Sequence, residues 1–129
     1  MVLDTSAVLA VLLGEPDAAG FAAAIQQASP RLMSAATLLE TSIVIEARKG
    51  EEGARDLDLF IHKAGVEIVP VDVEQAEVAR IAWRKFGKGR HPASLNYGDC
   101  FAYALARVSN SILLYKGEDF SRTDLSPPV

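Results

Sequence analysis

Four acidic residues could do chemistry together, because their surroundings suggest that they meet at one edge of a sheet. Asp4 ends the short apolar run that opens the chain, and Asp119 follows a second run, "ILLY". Glu40 and Asp99 fall in segments with helical periodicity. Each has an ordinary explanation alone: helix capping for Asp4 and Asp99, a salt bridge for Glu40, a solvated turn for Asp119.

The helical pattern around Glu40 predicts a carboxylate on the buried side of its helix. At 100° per residue, Glu40 shares a stripe with Leu39, Ile43, Val44 and Ala47. Burying an isolated charge is costly, so such a glutamate is protonated, paired with a cation or bound to a metal ion.

A cluster of these four acids would require a cation. Two unit charges about 4 Å apart repel by roughly 4 kcal/mol at an effective dielectric of 20. Oxygen ligands without histidine or cysteine select a hard ion, Mg²⁺ or Mn²⁺, which also binds substrate phosphate. The acids therefore indicate phosphoryl chemistry.

The elements that must position these acids alternate along the chain. Short strands are predicted at residues 2–4, 31–34, 66–69 and 112–115, and helices at residues 16–28, 35–49, 52–64, 73–86 and 99–108, with Gly50 as a helix C-cap. Such alternation predicts an α/β fold with a parallel sheet covered on both faces. Ligands bind such sheets beyond the carboxyl ends of the strands, where Asp4 lies.

Composition limits the class of protein. The 129 residues are 50% hydrophobic and 23% charged, so we expect one globular domain over residues 1–129. The single cysteine, Cys100, excludes an intramolecular disulfide and fits a reducing cytoplasm. The opening residues lack a signal-peptide pattern, and the apolar run at residues 7–13 is too short to span a bilayer. We expect a cytoplasmic protein with no membrane segment.

The net charge of −4 hides a basic segment. Residues 78–98 contain no acid, and this region holds five of the thirteen cations, namely Arg80, Arg84, Lys85, Lys88 and Arg90, with His91 beside them. Two interpretations are open: a solvated helix face running into a basic loop, or a surface that contacts phosphates. The second is favoured if an acidic metal site lies nearby.

Four sequence blocks carry a family resemblance: "MVLDTSAVLAVLLGEP", "LLETSIV", "LNYGDCFAYALA" and "LLYKGEDFSRTDL". In this order, and over nearly the whole chain, they resemble the PIN-domain ribonucleases, specifically the VapC toxins of bacterial toxin–antitoxin pairs. The resemblance implies a three-layer domain with a short central parallel sheet of four or five strands flanked by helices. It also implies an Mg²⁺- or Mn²⁺-dependent endoribonuclease that cuts structured RNA, such as tRNA or rRNA.

The family's acidic quartet carries over onto four positions, Asp4, Glu40, Asp99 and Asp119. The first three would hold one or two ions for in-line attack of water on a phosphodiester, leaving 5′-phosphate and 3′-hydroxyl ends. The fourth would help to hold a second ion or position the water, with Glu118 and Asp124 as alternatives to Asp119. The hydroxyl of Ser6 or Thr5 would support the metal or its water.

The resemblance also implies partners. A cognate VapB-type antitoxin would hold the enzyme inactive, through an apolar segment followed by an arginine or lysine that reaches the acids. The basic segment would anchor RNA phosphates, and His62 and His91 are expected at the surface. A homodimer is predicted from Leu38 and Ile45, which fall on a side of their helix away from the predicted buried stripe.

Two other functions fit parts of the pattern. A phosphohydrolase or receiver-like domain also places an aspartate at the end of a parallel strand, but usually needs a second acid close by, where Thr5 and Ser6 stand here. A non-catalytic, metal-stabilised RNA-binding module would use the acids structurally. Cleavage of RNA in Mg²⁺ or Mn²⁺ distinguishes the ribonuclease from both.

Overall fold

Four short parallel strands form the centre of the molecule. The computed structural model describes residues 1–89, 91–118 and 120–125. The strands are β1 (Val2–Leu3), β2 (Leu32–Ser34), β3 (Glu67–Val69) and β4 (Leu113–Leu114), in the sheet order β3-β2-β1-β4. Val2 aligns with Leu32 on one side and with Leu113 on the other. The predicted four-stranded parallel sheet is confirmed.

Five helices connect the strands: α1 (Thr5–Leu12), α2 (Ala18–Gln27), α3 (Ala35–Lys63), α4 (Val73–Phe86) and α5 (Tyr97–Val108), followed by a 3₁₀ turn at Phe120–Arg122. Gly50 interrupts α3 with a φ of 61°, a conformation that glycine adopts readily, so the predicted helix end there is confirmed. Helix α2 begins two residues after Pro16, and α5 begins before Asp99 because Asn96 caps it.

The helices cover both faces of the sheet. Val2, Leu32 and Leu113 point to one face, where they pack in a core with residues of α4 and α5. The residues that follow them, Leu3, Met33 and Leu114, point to the other face and pack with α1, α2 and α3. This alternation follows from the two-residue period of a strand and gives the predicted three layers.

Helix α3 buries a different face from the one that its hydropathy predicts. Its buried residues include Thr37, Thr41 and Ile45, whereas Leu39 and Ile43 are 62% and 60% exposed. The predicted stripe was wrong because two threonines, Thr37 and Thr41, pack inward although polar side chains ordinarily lie at the surface. Their small side chains and hydroxyls suit a helix lying close to α1.

The dimer surface predicted at Leu38 and Ile45 is also wrong. Ile45 is fully buried, and Leu38 is half-buried against the same core. Both side chains therefore pack inside the molecule.

Within the described ranges, no helix is both long and apolar enough to cross a membrane.

Candidate active site

Asp4 lies where the order of the sheet reverses. It follows β1, which has β2 on one side and β4 on the other, and such a switch point opens a crevice at the carboxyl ends of the strands. Asp4 is only 4% exposed and caps α1: its Oδ2 accepts hydrogen bonds from the Ser6 backbone nitrogen at 3.0 Å and from Ser6 Oγ at 2.5 Å. Ser6 Oγ accepts in turn from the backbone nitrogen of Lys116, just after β4, at 2.9 Å. Ser6 therefore connects the residue after β1 to the chain that follows β4.

Glu40 reaches the same crevice from α3. Its Oε1 accepts a hydrogen bond from Thr5 Oγ1 at 2.6 Å, and Thr5 Oγ1 accepts from Thr41 Oγ1 at 3.0 Å. On its other side the carboxylate lies against Gly98, where an added Cβ would overlap it. Glu40 therefore stands between the first turns of α1 and α5, and it is half-buried because α1 and α5 approach it, not because it lies on the predicted apolar stripe.

The surroundings of Asp4, including Glu40, change its ionisation. Burial raises the pKa of Asp4 above its ordinary value, and the charge of Glu40 raises it further, while the hydrogen bonds from Ser6 oppose the shift. In the described part of the chain, neither acid has a basic side chain within 4.0 Å. The nearby Lys116 instead pairs with Glu15 and Asp17. No salt bridge to Glu40 occurs among these residues.

Asp99 takes part in a capping box rather than serving as the N-cap itself. Asn96 Oδ1 accepts from the Asp99 backbone nitrogen at 2.9 Å, and Asp99 Oδ2 accepts from the Asn96 backbone nitrogen at 3.0 Å. Asp99 follows Gly98, so its helix turn adjoins Glu40. Across residues 1–89, 91–118 and 120–125, no three His, Cys, Asp or Glu side chains already form a metal-sized cluster. The structure thus brings Asp4 and Glu40 together and leaves Asp99 bonded to its cap.

The fourth acid was assigned to Asp119, which lies outside the described residues. Of the two alternatives, Glu118 is exposed and pairs with Arg122 at 3.3 Å. Asp124 accepts a hydrogen bond from the Tyr103 hydroxyl and lies 3.8 Å from Arg107, beyond the first turn of α5. Asp124 is therefore engaged away from Asp4 and Glu40.

The donor atoms suit a hard divalent cation. Asp4 and Glu40 supply carboxylate oxygens, and their neighbours Thr5 and Ser6 supply hydroxyls, with no soft ligand among them. The pair is buried or half-buried, and no basic side chain of the described ranges neutralises it. A cation such as Mg²⁺ or Mn²⁺ would compensate this charge.

Comparisons with known proteins identify the family of this chain. The PIN domain family model matches residues 1–125. The chain is 57% identical to VapC ribonuclease Mb0640 of Mycobacterium bovis, with 98% of this chain and 96% of that protein covered, and 56% identical to a ribonuclease VapC of Mycolicibacterium smegmatis, with 98% of each covered. The chain belongs to the VapC family of PIN-domain ribonucleases. It is a ribonuclease toxin of a toxin–antitoxin pair.

Solved VapC structures share the fold at low identity. VapC20 of Mycobacterium tuberculosis, described as a toxin that cleaves the sarcin–ricin loop, superposes with a TM-score of 0.78 at 20% identity, covering 97% of this chain and 95% of that one. VapBC2 of Rickettsia felis, solved with a DNA fragment from its promoter, gives 0.71 at 18% identity, covering 95% and 92%.

The basic segment of this VapC chain is divided by the structure. Arg80 lines a groove between α4 and α5 beside Tyr97, and Arg84 follows it one helical turn later. Lys85 instead borders a cleft with Tyr103 and Arg107. Lys88 is exposed beyond α4, and Arg90 lies outside the described residues.

The two histidines of this VapC chain differ. His62 is exposed, as expected. His91 is half-buried, because its Nδ1 accepts from the Ala93 backbone nitrogen at 3.0 Å and its ring meets Phe86 edge-on. His91 therefore lies at the surface only in part.

Two supporting residues were missed by sequence reasoning. Thr41 holds Thr5 and thereby Glu40, and Asn96 holds Asp99. Both carried a signal: Thr41 is four residues after Thr37, so the two share one helix face, and Asn96 stands three residues before an acid, which is capping-box spacing.

Proposed function

We propose that this toxin is a metal-dependent endoribonuclease that cuts structured RNA, such as tRNA or rRNA. Asp4, Glu40 and Asp99 would hold Mg²⁺ or Mn²⁺, with Asp119 contributing to a second ion or to placing the water. When bound, the metal would stabilise charge and lower the pKa of water for in-line attack on a phosphodiester. The products would carry 5′-phosphate and 3′-hydroxyl ends.

The observation that carries this proposal is the adjacency of Asp4 and Glu40 without a neutralising basic side chain in the described residues. The protein's own residues do the positioning. Ser6 fixes Asp4, while Thr41 and Thr5 fix Glu40. Such support holds reacting groups within a narrow range of geometry, which hydrolysis requires.

Thermal unfolding tests the metal set without using activity. Mg²⁺ at a hundred times its Kd should stabilise the wild-type protein by about 2.7 kcal/mol, or raise its Tm by roughly 10 °C for a chain of this size. Asp4→Asn and Asp99→Asn should reduce this shift. Asp58→Asn, on an exposed part of α3, is the matched control and should retain it. An equal shift in wild type and Asp99→Asn would remove Asp99 from the metal set.

Mapping of cleavage sites on total cellular RNA tests the reaction. Brief expression of the wild-type chain should produce new 5′-phosphate ends in structured RNA, and Asp4→Asn should not. RNA that is bound but left intact in both Mg²⁺ and Mn²⁺ would instead support a non-catalytic RNA-binding module.

A VapB-type antitoxin is the proposed inhibitor, and it would place an arginine or lysine beside Asp4 and Glu40. The absence of a basic partner for these acids within the described residues supports this arrangement. Replacing that basic residue of the antitoxin with alanine should weaken inhibition more than replacing its neighbours does. Unchanged inhibition would place the antitoxin elsewhere.

A homodimer is also proposed, now through Leu39 and Ile43. These exposed side chains lie one turn apart on α3 and flank Glu40 in sequence. Sedimentation at micromolar concentration should show a dimer, and Ile43→Glu should dissociate it. A wild-type chain that sediments only as a monomer would contradict the proposal.

A further inference from the structure

A groove of about 480 Å³ opens between α4 and α5. Its walls include Arg80, Trp83, Tyr97 and Phe101, and its floor has small residues such as Ala76 and Ala79. We call it the aromatic groove. Three of its lining residues are aromatic and partly or fully exposed, whereas the rings of Tyr103, Tyr115 and Phe120 are buried in the core.

The rings of the aromatic groove are held in place before any ligand arrives. Tyr97 is 81% exposed, yet its ring meets Phe101 edge-on with centroids 4.9 Å apart. Trp83 lies against Gly87: a Cβ there would come within 2.7 Å of indole Cδ1 and 2.8 Å of Nε1. Glycine at position 87 therefore leaves room for the indole.

The aromatic groove adjoins the candidate active site. Tyr97 precedes Gly98, whose backbone contacts the carboxylate of Glu40. Tyr97 and Phe101 lie one helical turn apart on α5, so the groove leads away from the acids along that helix. A group that binds against Tyr97 would thus be next to Gly98, the residue of α5 that contacts Glu40.

The charge around the aromatic groove suits a polyanion. Arg80 stands in its wall and Arg84 follows one turn later on α4, and both residues are exposed. Unpaired bases in RNA are recognised by stacking on aromatic rings. A nearby arginine can contact the phosphate or stack on the face of a ring. Arg80 in the wall offers a phosphate contact that an apolar protein segment would not use.

We propose that the aromatic groove seats an unpaired nucleobase of the RNA, next to the phosphodiester that is cut. This inference rests on the proposed ribonuclease function and adds a base-binding subsite to it. It also accounts for an exposed tyrosine beside the acids, which the hydrolysis itself does not use.

Tryptophan fluorescence reports on this groove directly, because Trp83 is the only tryptophan in the chain. The full chain would be titrated in EDTA, where the RNA stays intact, with a single-stranded RNA decamer and with an abasic oligomer of the same length. The RNA should quench the emission, and the abasic oligomer should bind more weakly without quenching. Tyr97→Ala should weaken RNA binding by about five- to 150-fold, the range expected when one base no longer stacks.

Two variants control for other effects. Tyr97→Phe keeps the ring and should bind RNA within about twofold of wild type. Leu59→Ala removes an exposed apolar side chain that lines a different cavity and should also leave RNA binding unchanged. Loss of binding in Tyr97→Ala but not in these two would support stacking on the ring.

Several results would overturn the inference. Equal RNA affinity in wild type and Tyr97→Ala would remove the ring from binding. Emission that changes with protein concentration but not with RNA would show that a second copy of the chain covers the groove. Quenching without cleavage in Mg²⁺ would contradict only the proposed function, and cleavage without quenching would contradict only this subsite.

Discussion

Asp4 and Glu40 are each positioned by a hydroxyl group close to the acid. Ser6 donates to Asp4, and Thr5 donates to Glu40, so adjacent residues of α1 serve different acids. Both hydroxyls are then held by a further donor, the backbone of Lys116 for Ser6 and the Thr41 hydroxyl for Thr5. The predicted role of Ser6 or Thr5 beside the metal stays a prediction, while their role in orienting carboxylates follows from these bonds.

At this scale, Asp4→Asn should stabilise the metal-free protein, increasingly so as pH rises. The folded-state pKa of Asp4 is raised above its unfolded value, so folding favours the protonated carboxyl. Its contribution to stability is fully present below the unfolded pKa and is lost as pH rises through the folded pKa. Asparagine is neutral throughout and can still accept from Ser6.

Thermal unfolding in EDTA at about pH 5 and about pH 8 measures this difference. The Tm of Asp4→Asn minus that of wild type should be larger at the higher pH. Asp58→Asn, at an exposed position, should give a difference that changes little with pH. A larger advantage for Asp4→Asn at the lower pH would contradict the raised pKa.

Helix ends and close helix contacts position the site at the scale of elements. Asp4 caps α1, the capping box of Asn96 and Asp99 begins α5, and Gly98 lets α5 approach Glu40 on α3. Each of these features brings backbone near a carboxylate. The geometry of the acids therefore depends on how three helices begin or meet.

Gly98→Ala should impair cleavage far more than stability. The added Cβ would overlap the Glu40 carboxylate, which is the end of a flexible side chain and can move aside. A displacement of about 1 Å at a reacting group costs roughly 10²-fold in rate, whereas the Tm should change by only a few degrees.

Gly20→Ala is the matched control, because nothing lies within 4 Å of a Cβ at that position in α2. It should leave cleavage unchanged and stabilise the helix by up to about 1 kcal/mol. If Gly98→Ala cleaves RNA at the wild-type rate, Glu40 is not required at its observed position.

The buried face of α3 gives a second prediction for an element. Ile45→Ala should lower the free energy of unfolding by about 2–5 kcal/mol, because the side chain is fully buried. Glu46→Ala, at the exposed position that follows Ile45, should cost less than about 0.5 kcal/mol. Urea unfolding of both variants measures this difference, and equal costs would contradict the observed orientation of α3.

At the scale of the whole molecule, the sheet separates the acids from part of the basic surface. Helices α1 and α3, which help to position Asp4 and Glu40, cover one face, while α4 with Arg80 and Arg84 covers the other. Helix α5 packs with α4 and reaches Glu40 at its first turn. Metal binding and RNA binding should therefore be separable by mutation.

The double variant Arg80→Ala, Arg84→Ala should weaken RNA binding and flatten its salt dependence. The slope of log K against log salt should fall by about 0.7–0.9 for each RNA phosphate that the variant no longer neutralises. Lys63→Ala, at an exposed position at the end of α3 beside a different cavity, is the control and should keep the wild-type slope. Titration of one RNA in EDTA across a range of salt measures both.

Asp4→Asn should show the opposite behaviour in the same titration, with cleavage lost and affinity retained, because removing a negative charge does not weaken attraction to a polyanion. A double variant with the wild-type slope would show that Arg80 and Arg84 are only solvated surface residues. RNA would then bind to a different surface of the protein.

The sequence by itself determined the strands and, except for α1, the approximate helix boundaries. These features depend on short-range signals: two-residue alternation in strands, Gly50 ending a helical segment, and apolar runs that end at polar residues. It also placed Asp4 at the carboxyl end of a strand, because that position depends on only a few neighbouring residues.

Only the tertiary structure decided how α3 is rotated and what holds the acids. Thr5 meets Glu40 and Thr41 across 35 and 36 positions of sequence, and Gly98 meets Glu40 across 58, which is 98 minus 40. No local periodicity encodes such contacts. They arise when the helices pack on the sheet, where small hydroxyl side chains fit better at a close approach than the larger Leu39 and Ile43, which remain exposed.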